Sequence, residues 1–169
     1  MIKLTQAHYE AKINDCIRKA PFESGVEFLV FNLLDEIVDE NILSVIDINR
    51  CPKNADARLC TKAGIPDIAI VSKDFVFQNP AEGKVYGFIE VKAAGLVVRE
   101  TVQILGQCSK APHYIATNGI NWLYYHNGVQ QWKLNICTKQ IPYSAAPLQI
   151  DKDKYKDLVQ KLTDIVWHE

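Results

Sequence analysis

Residues 64–71 read GIPDIAIV, an apolar run of strand length that carries one charge, Asp67, near its start. Residues 87–92 read GFIEVK, a second such run in which Glu90 and Lys92 are two positions apart. Successive side chains of a strand point to opposite faces, so Glu90 and Lys92 share one face. If the two strands are neighbours, Asp67 joins them, and two carboxylates then meet one ammonium group in a small pocket.

Two adjacent carboxylates and a lysine form a site with a specific chemistry. The carboxylates repel each other unless a cation lies between them, and hard oxygen ligands select Mg²⁺ or Mn²⁺. The lysine can orient or help to deprotonate an attacking water, or stabilise developing negative charge. This combination favours hydrolysis of a phosphodiester bond.

The order Pro66-Asp67, then Glu90-Val91-Lys92, resembles the signature of the PD-(D/E)XK nuclease superfamily. The resemblance implies an α/β, restriction endonuclease-like fold, a three-layer core in which helices flank a central mixed β-sheet. It also implies that Asp67 and Glu90 bind one or two Mg²⁺ ions, for which Mn²⁺ can substitute, with the Val91 carbonyl as an extra ligand. Lys92 would then assist the attacking water.

A long apolar segment, residues 22–38, has the three- and four-residue spacing of a core helix. Glu23 and Glu27 lie one turn apart near its start, and acids are favoured there because the helix dipole is positive. Members of the resembled superfamily place a glutamate on the first core helix, ahead of a Leu-Leu pair. Glu23 stands in that relation to Leu33-Leu34, so we rank Glu23 above Glu27 as a further acid of the site.

Residues 97–110 predict another helix, on which Gln103 and Gln107 are one turn apart. Glutamines on a helix are usually solvated. In the RecB-like and type I restriction branches of the superfamily, however, a QxxxY motif follows the lysine. Gln103 has the place of that glutamine and would position the lysine or the scissile region, whereas Gln107 replaces the tyrosine and its role stays open. The inward positions of this helix are expected at Val98, Val102, Leu105 and Cys108.

Residues 50–62 fit neither a helix nor a strand, and they contain four basic residues and one acid. A solvated loop is the simpler interpretation. The alternative is a loop that brings its basic side chains to phosphate groups beside Asp67. These candidate nucleic-acid contacts are Arg50, Lys53, Arg58 and Lys62.

The remaining patterns complete a single nuclease-like domain over residues 1–169. They predict helices at 5–19 and 151–167, strands at 43–49, 113–117, 121–126 and 129–136, and a connector at 138–148. The turn-rich residues 72–84 join the two motif strands as a meander, which makes those strands antiparallel neighbours. The order of elements indicates a mixed sheet flanked by helices.

Composition limits the class of protein. With 169 residues, 48% hydrophobic and 23% charged, the chain is that of one ordinary globular domain. Five cysteines without CxxC spacing indicate reduced thiols rather than zinc or disulfides. The net charge of -1 means that any nucleic-acid contact must be local. We expect no membrane span, no signal peptide in the opening residues, and a cytoplasmic location.

Together these patterns predict a metal-dependent deoxyribonuclease, an endonuclease that hydrolyses phosphodiester bonds of DNA, although no residue discriminates DNA from RNA. A homodimer is expected, because two symmetry-related sites face the antiparallel strands of a duplex. The aromatic strands around Trp122 and Trp132 are a candidate dimer surface, although core packing is the more frequent role of such residues. One alternative is a nuclease-like module that binds nucleic acid or a protein without cutting. Another is an unrelated α/β protein in which Glu90 and Lys92 form an exposed ion pair.

Overall fold

A computed structural model describes residues 3–139 and 147–168, so the predicted connector at 138–148 falls largely outside the described residues. The elements in chain order are α1 (Gln6–Lys19), α2 (Glu23–Ile37), β1 (Leu43–Asp47), β2 (Ile68–Ser72), β3 (Val85–Val91), α3 (Val102–Gln107), β4 (His113–Thr117), β5 (Asn121–His126), β6 (Val129–Asn135) and α4 (Lys152–Thr163). This is the predicted order of helices and strands. Within the described ranges, no helix combines the length and apolar character needed to cross a membrane.

The strands form one mixed sheet in the order β1-β2-β3-β4-β5-β6. Of the described pairs, β3 and β4 run parallel and the others antiparallel. Helix α3 lies in the crossover between the parallel strands, as a parallel connection requires. The motif strands β2 and β3 are antiparallel neighbours, which confirms the meander that was predicted from the turn-rich segment between them.

Two hydrophobic layers lie on opposite faces of the sheet. Ile68 and Ile89 belong to the layer that packs against α1, α2 and α4. Ala69 and Phe88, each one residue away, belong to the layer under α3, where Leu59 of the preceding loop also packs. This alternation follows from the two-residue period of a strand. It places residues 67, 90 and 92 on the α3 face of the sheet.

Short polar signals set the ends of the elements. Thr5, Thr101 and Asp151 cap α1, α3 and α4, each accepting a hydrogen bond from a main-chain N–H of the first turn. Asn127 and Gly128 join β5 to β6 with φ values of 50° and 77°, the left-handed pair that a tight hairpin turn needs. The two strands therefore form an antiparallel hairpin.

Helix α3 corrects one sequence prediction. It begins at Val102, not Val97, because Thr101 caps it. The predicted inward positions Val102 and Leu105 are wrong: their exposed fractions are 87% and 53%. The buried residues of α3 are Ile104 and Gln107, so the inward face of the helix presents an apolar side chain to the core and a glutamine to the polar Glu90 of the sheet.

The two aromatic strands differ in burial: β5 is mostly buried and β6 is mostly exposed. Trp122 is fully buried in the layer under α1, α2 and α4, and Trp132 is partly buried against the same layer. Trp122 therefore has no surface to offer a second copy of the chain.

Candidate functional site

The sheet brings Asp67 and Glu90 side by side. The main-chain N–H of Asp67 donates to the Ile89 carbonyl (3.1 Å), and the Asp67 carbonyl accepts from the Ile48 N–H (2.9 Å), so Asp67 is held between β1 and β3. The antiparallel register pairs Ile68 with Ile89, the residues that follow Asp67 and precede Glu90, and the charge of Glu90 acts on Asp67. Only 9% of Asp67 and 4% of Glu90 is exposed.

Burial and a neighbouring charge make Asp67 a weak acid. Burial above all, then the charge of Glu90, raises the pKa of Asp67 to about 7. The Val91 N–H, which donates to Asp67 Oδ2 at 2.6 Å, and the charge of Lys92 act in the opposite direction without cancelling the effect. At neutral pH the nearby positive charge therefore does not fully compensate the two carboxylates. A proton or a cation at Asp67 would reduce their repulsion.

Glu90 accepts hydrogen bonds on both oxygens. Its Oε1 accepts from Lys92 Nζ (2.5 Å) and from Gln103 Nε2 (2.7 Å), while its Oε2 accepts from Gln107 Nε2 (3.3 Å). Lys92 Nζ also lies 3.5 Å from Gln103 Oε1. Burial lowers the pKa of Lys92, but the hydrogen bond and charge of Glu90, together with the charges of Glu23 and Asp67, outweigh burial and raise it. Lys92 is thus held as an ammonium group, a donor to negative charge.

Sequence reasoning did not find the role of Gln107 or the participation of Tyr114. Gln107 is fully buried, and its Oε1 accepts from the Tyr114 hydroxyl at 2.6 Å. Both glutamines of α3 therefore face the site and are not simply solvated. The sequence did contain one indication of this. Gln103 and Gln107 are one turn apart on a helix that Thr101 caps, so they share one helix face. Nothing in the sequence linked Tyr114 to them, because that contact depends on the pairing of β3 with β4.

Two further acids approach from the start of α2. Glu27, 9% exposed, accepts from Asn49 Nδ2 at 2.9 Å, and burial raises its pKa. Its charge contributes to raising the pKa of Asp67. Glu23 is exposed, and its charge contributes to raising the pKa values of Glu27 and Lys92. Both acids are therefore within electrostatic range of the site. Burial favours Glu27, and the ranking of Glu23 above it stays a prediction.

The basic loop divides into one residue with a structural role and three exposed side chains. Arg58 donates to both carboxylate oxygens of Asp56 at 3.0 and 2.7 Å and to three main-chain carbonyls of residues 76–83, and its guanidinium lies over the Phe75 ring. Its donors thus hold the loop together, which leaves Arg58 a poor candidate for contact with phosphate. The other candidates, Arg50, Lys53 and Lys62, are exposed.

The donor set suits a cation that keeps much of its water. In the part of the chain that the structure describes, no group of three or more His, Cys, Asp or Glu side chains is arranged to hold a metal. Asp67 and Glu90 offer two carboxylates, and Asp67 Oδ1 accepts no hydrogen bond from the described residues. Mg²⁺ is commonly bound through one or two carboxylates together with water and substrate oxygens. The residues present therefore fit an open Mg²⁺ site and do not fit a closed protein cage.

Comparison with known proteins gives one line of evidence, which concerns the fold. No protein-family model matches the chain, and no curated protein matches it. A chain in a cryoEM structure of a DrdV–DNA complex is similar, with a TM-score of 0.57 and 14% identity, over 98% of this chain and 99% of that chain. At this identity the likeness shows a shared fold. The α/β, restriction endonuclease-like architecture, with helices flanking a mixed six-stranded sheet, is thereby confirmed.

Proposed function

We propose that this protein is a metal-dependent nuclease of the PD-(D/E)XK type, which hydrolyses phosphodiester bonds of DNA. The observation that carries the proposal is the buried carboxylate pair of Asp67 and Glu90, with Lys92 donating to Glu90. Burying two neighbouring acids costs stability unless a cation or proton compensates them. A strand position that only had to fill the core would be better occupied by an apolar residue, so the pair indicates a selected function.

The roles follow from the contacts around this pair. Asp67 and Glu90, with the Val91 carbonyl, would hold Mg²⁺ or Mn²⁺, which supplies charge neutralisation at the phosphate and a water of lowered pKa. Lys92 presents its ammonium group to the attacking water or to charge that develops on the phosphate. Gln103 bonds Glu90 and lies within reach of Lys92, so it fixes the two relative to each other. Glu23 or Glu27 adds a further acid at the rim.

DNA as substrate is supported by the neighbouring fold, which occurs in a complex with DNA. The exposed Arg50, Lys53 and Lys62 supply local positive charge on the loop that leads into β2. The end of this loop approaches α3 closely, since a Cβ added to Gly106 would lie 2.6 Å from the Ala63 Cβ. An endonuclease that cuts both strands would act as a homodimer, with one site on each strand.

Cleavage assays with a charge-only variant test the proposal. Supercoiled and linear DNA are incubated with Mg²⁺, with Mn²⁺ and with chelator, for wild type, Asp67→Asn and the control Asp74→Asn. Asp74 is exposed, so the control makes the same chemical change away from the site. We expect metal-dependent cleavage that falls at least about 100-fold in Asp67→Asn, a loss of about 3 kcal/mol in transition-state stabilisation. Cleavage of closed circles identifies an endonuclease.

Two results would contradict the nuclease proposal. One is undiminished cleavage by Asp67→Asn, and the other is cleavage that persists in chelator. Calorimetry with Mn²⁺ alone adds an independent readout, because wild type should give a saturable heat that Asp67→Asn lacks. Retention of DNA with neither cleavage nor metal binding would favour the alternative, a nuclease-like binding module.

A further inference from the structure

Gln107 joins a tyrosine of one strand to the carboxylate of the next. Its Oε1 accepts from the Tyr114 hydroxyl at 2.6 Å, and its Nε2 donates to Glu90 Oε2 at 3.3 Å. Gln107 and Tyr114 are both fully buried. The strand register explains the alignment. Tyr114 pairs with Phe88, and Glu90 is two residues further along β3, so the side chains of Tyr114 and Glu90 point to the same face of the sheet, the face that α3 covers.

The direction of this chain of hydrogen bonds is fixed by chemistry. An ionised carboxylate only accepts, so the amide must turn its nitrogen to Glu90 and its oxygen to Tyr114, and the phenol must donate. Burial, followed by the charge of Glu90, raises the pKa of Tyr114 well above its usual value, which keeps the donated proton on the phenol. Aligned hydrogen bonds of this kind polarise one another.

Glu90 depends on this contact for its orientation. Its Oε1 accepts from Lys92 and Gln103, both of which the proposed reaction uses. Among the described residues, Gln107 is the one donor to Oε2. We propose that Gln107 and Tyr114 are positioning residues that orient the Glu90 carboxylate, an inference that rests on the proposed nuclease function. Tyr114 acts entirely through Gln107.

Two single variants and their combination separate positioning from packing. Tyr114→Phe leaves Gln107 Oε1 without its donor in a buried site, and Gln107→Leu leaves the Tyr114 hydroxyl unpaired, so each single variant should lose stability. The double variant replaces both partners by apolar groups and should recover most of that stability. It still lacks a donor to Glu90 Oε2. We expect Mn²⁺ affinity and kcat to stay about tenfold low in the double variant, with KM for DNA unchanged.

The matched control is Tyr125→Phe. Tyr125 is also buried and packs edge-to-face on Tyr114 with 6.0 Å between ring centroids, but its hydroxyl contacts Glu100 and Gln130 instead of the site. It should retain wild-type kcat and Mn²⁺ affinity. If the double variant recovers kcat and Mn²⁺ affinity together with stability, the pair is merely structural and the inference is wrong.

A metal-free measurement keeps this test independent of the nuclease proposal. The ¹³C signal of the Glu90 carboxyl carbon, assigned with Glu90→Gln, reports the surroundings of Glu90 without substrate or metal. Tyr114→Phe should shift this signal when Gln107 is present and leave it unchanged in the Gln107→Leu background. Equal shifts in both backgrounds would overturn the inference. If wild type neither binds Mn²⁺ nor cuts DNA, the nuclease proposal fails, and the carboxyl signal still decides whether the pair positions Glu90.

Discussion

Replacing Asp67 by asparagine should stabilise the metal-free protein at neutral pH. Asp67 is 9% exposed and lies within reach of the charge of Glu90. Burial, followed by the charge of Glu90, raises its pKa from 3.8 to about 7. Asparagine has nearly the same shape, carries no charge, and offers a carbonyl oxygen to the Val91 N–H that now donates to Asp67 at 2.6 Å. The substitution therefore removes the electrostatic cost and keeps the hydrogen bond.

The size of the effect follows from linkage between protonation and folding. A pKa rise from 3.8 to about 7 is about three units, and each unit corresponds to about 1.4 kcal/mol, so the upper limit is about 4 kcal/mol. Below pH 4 the carboxyl group is protonated in the folded and unfolded chain alike, and Asp67 contributes no difference. Between pH 4 and 7 the unfolded chain releases this proton while the folded chain retains it, so the free energy of unfolding falls as pH rises. Above pH 7 the contribution is constant.

Urea denaturation followed by tryptophan fluorescence, in chelator and at pH values from 4 to 8, measures this effect. The advantage of Asp67→Asn over wild type should grow from near zero at pH 4 to its maximum at pH 8, and Mn²⁺ should reduce it by stabilising wild type alone. The control Asp56→Asn should instead be less stable than wild type. A hydrogen bond from Arg58 lowers the pKa of Asp56 to about 2, so the charged form of Asp56 stabilises the fold. If the advantage of Asp67→Asn does not change with pH, the pKa of Asp67 is not raised by folding.

Three further variants test the fold and the loop. Gly87→Ala should destabilise the protein by about 1–3 kcal/mol in urea denaturation, because its Cβ would lie 2.5 Å from Cζ3 of Trp167; wild-type stability would contradict this packing. Arg58→Ala should cost about 3 kcal/mol in the same assay, since it leaves a buried carboxylate unpaired, and a neutral result would exclude the structural role. Lys53→Ala should leave stability unchanged but weaken DNA binding and lower the salt-dependence slope by about 1, whereas Lys156→Ala on α4 should alter neither.

The central residues of the candidate site could be predicted from the sequence because they lie on two strands joined by a short link. Glu90 and Lys92 share a face by strand alternation alone, and a short turn-rich link makes β2 and β3 neighbours. Local patterns of this kind also predicted the order of helices and strands. The glutamine spacing on α3 was visible as well, but its orientation was not, because Thr101 starts the helix later than the apolar pattern indicated.

The rest of the site depends on contacts between distant segments. The sequence left Arg58 as one candidate for contact with phosphate, and it did not show that its donors bond Asp56 and nearby carbonyls. Likewise, sequence did not show that Glu27 is more buried than Glu23, or that Tyr114 reaches Gln107. Periodicity and turn chemistry are local, so the sequence alone determines the elements and the Asp67 and Glu90 strands. Burial and side-chain partners arise where elements distant in sequence pack together, so they follow from the tertiary structure.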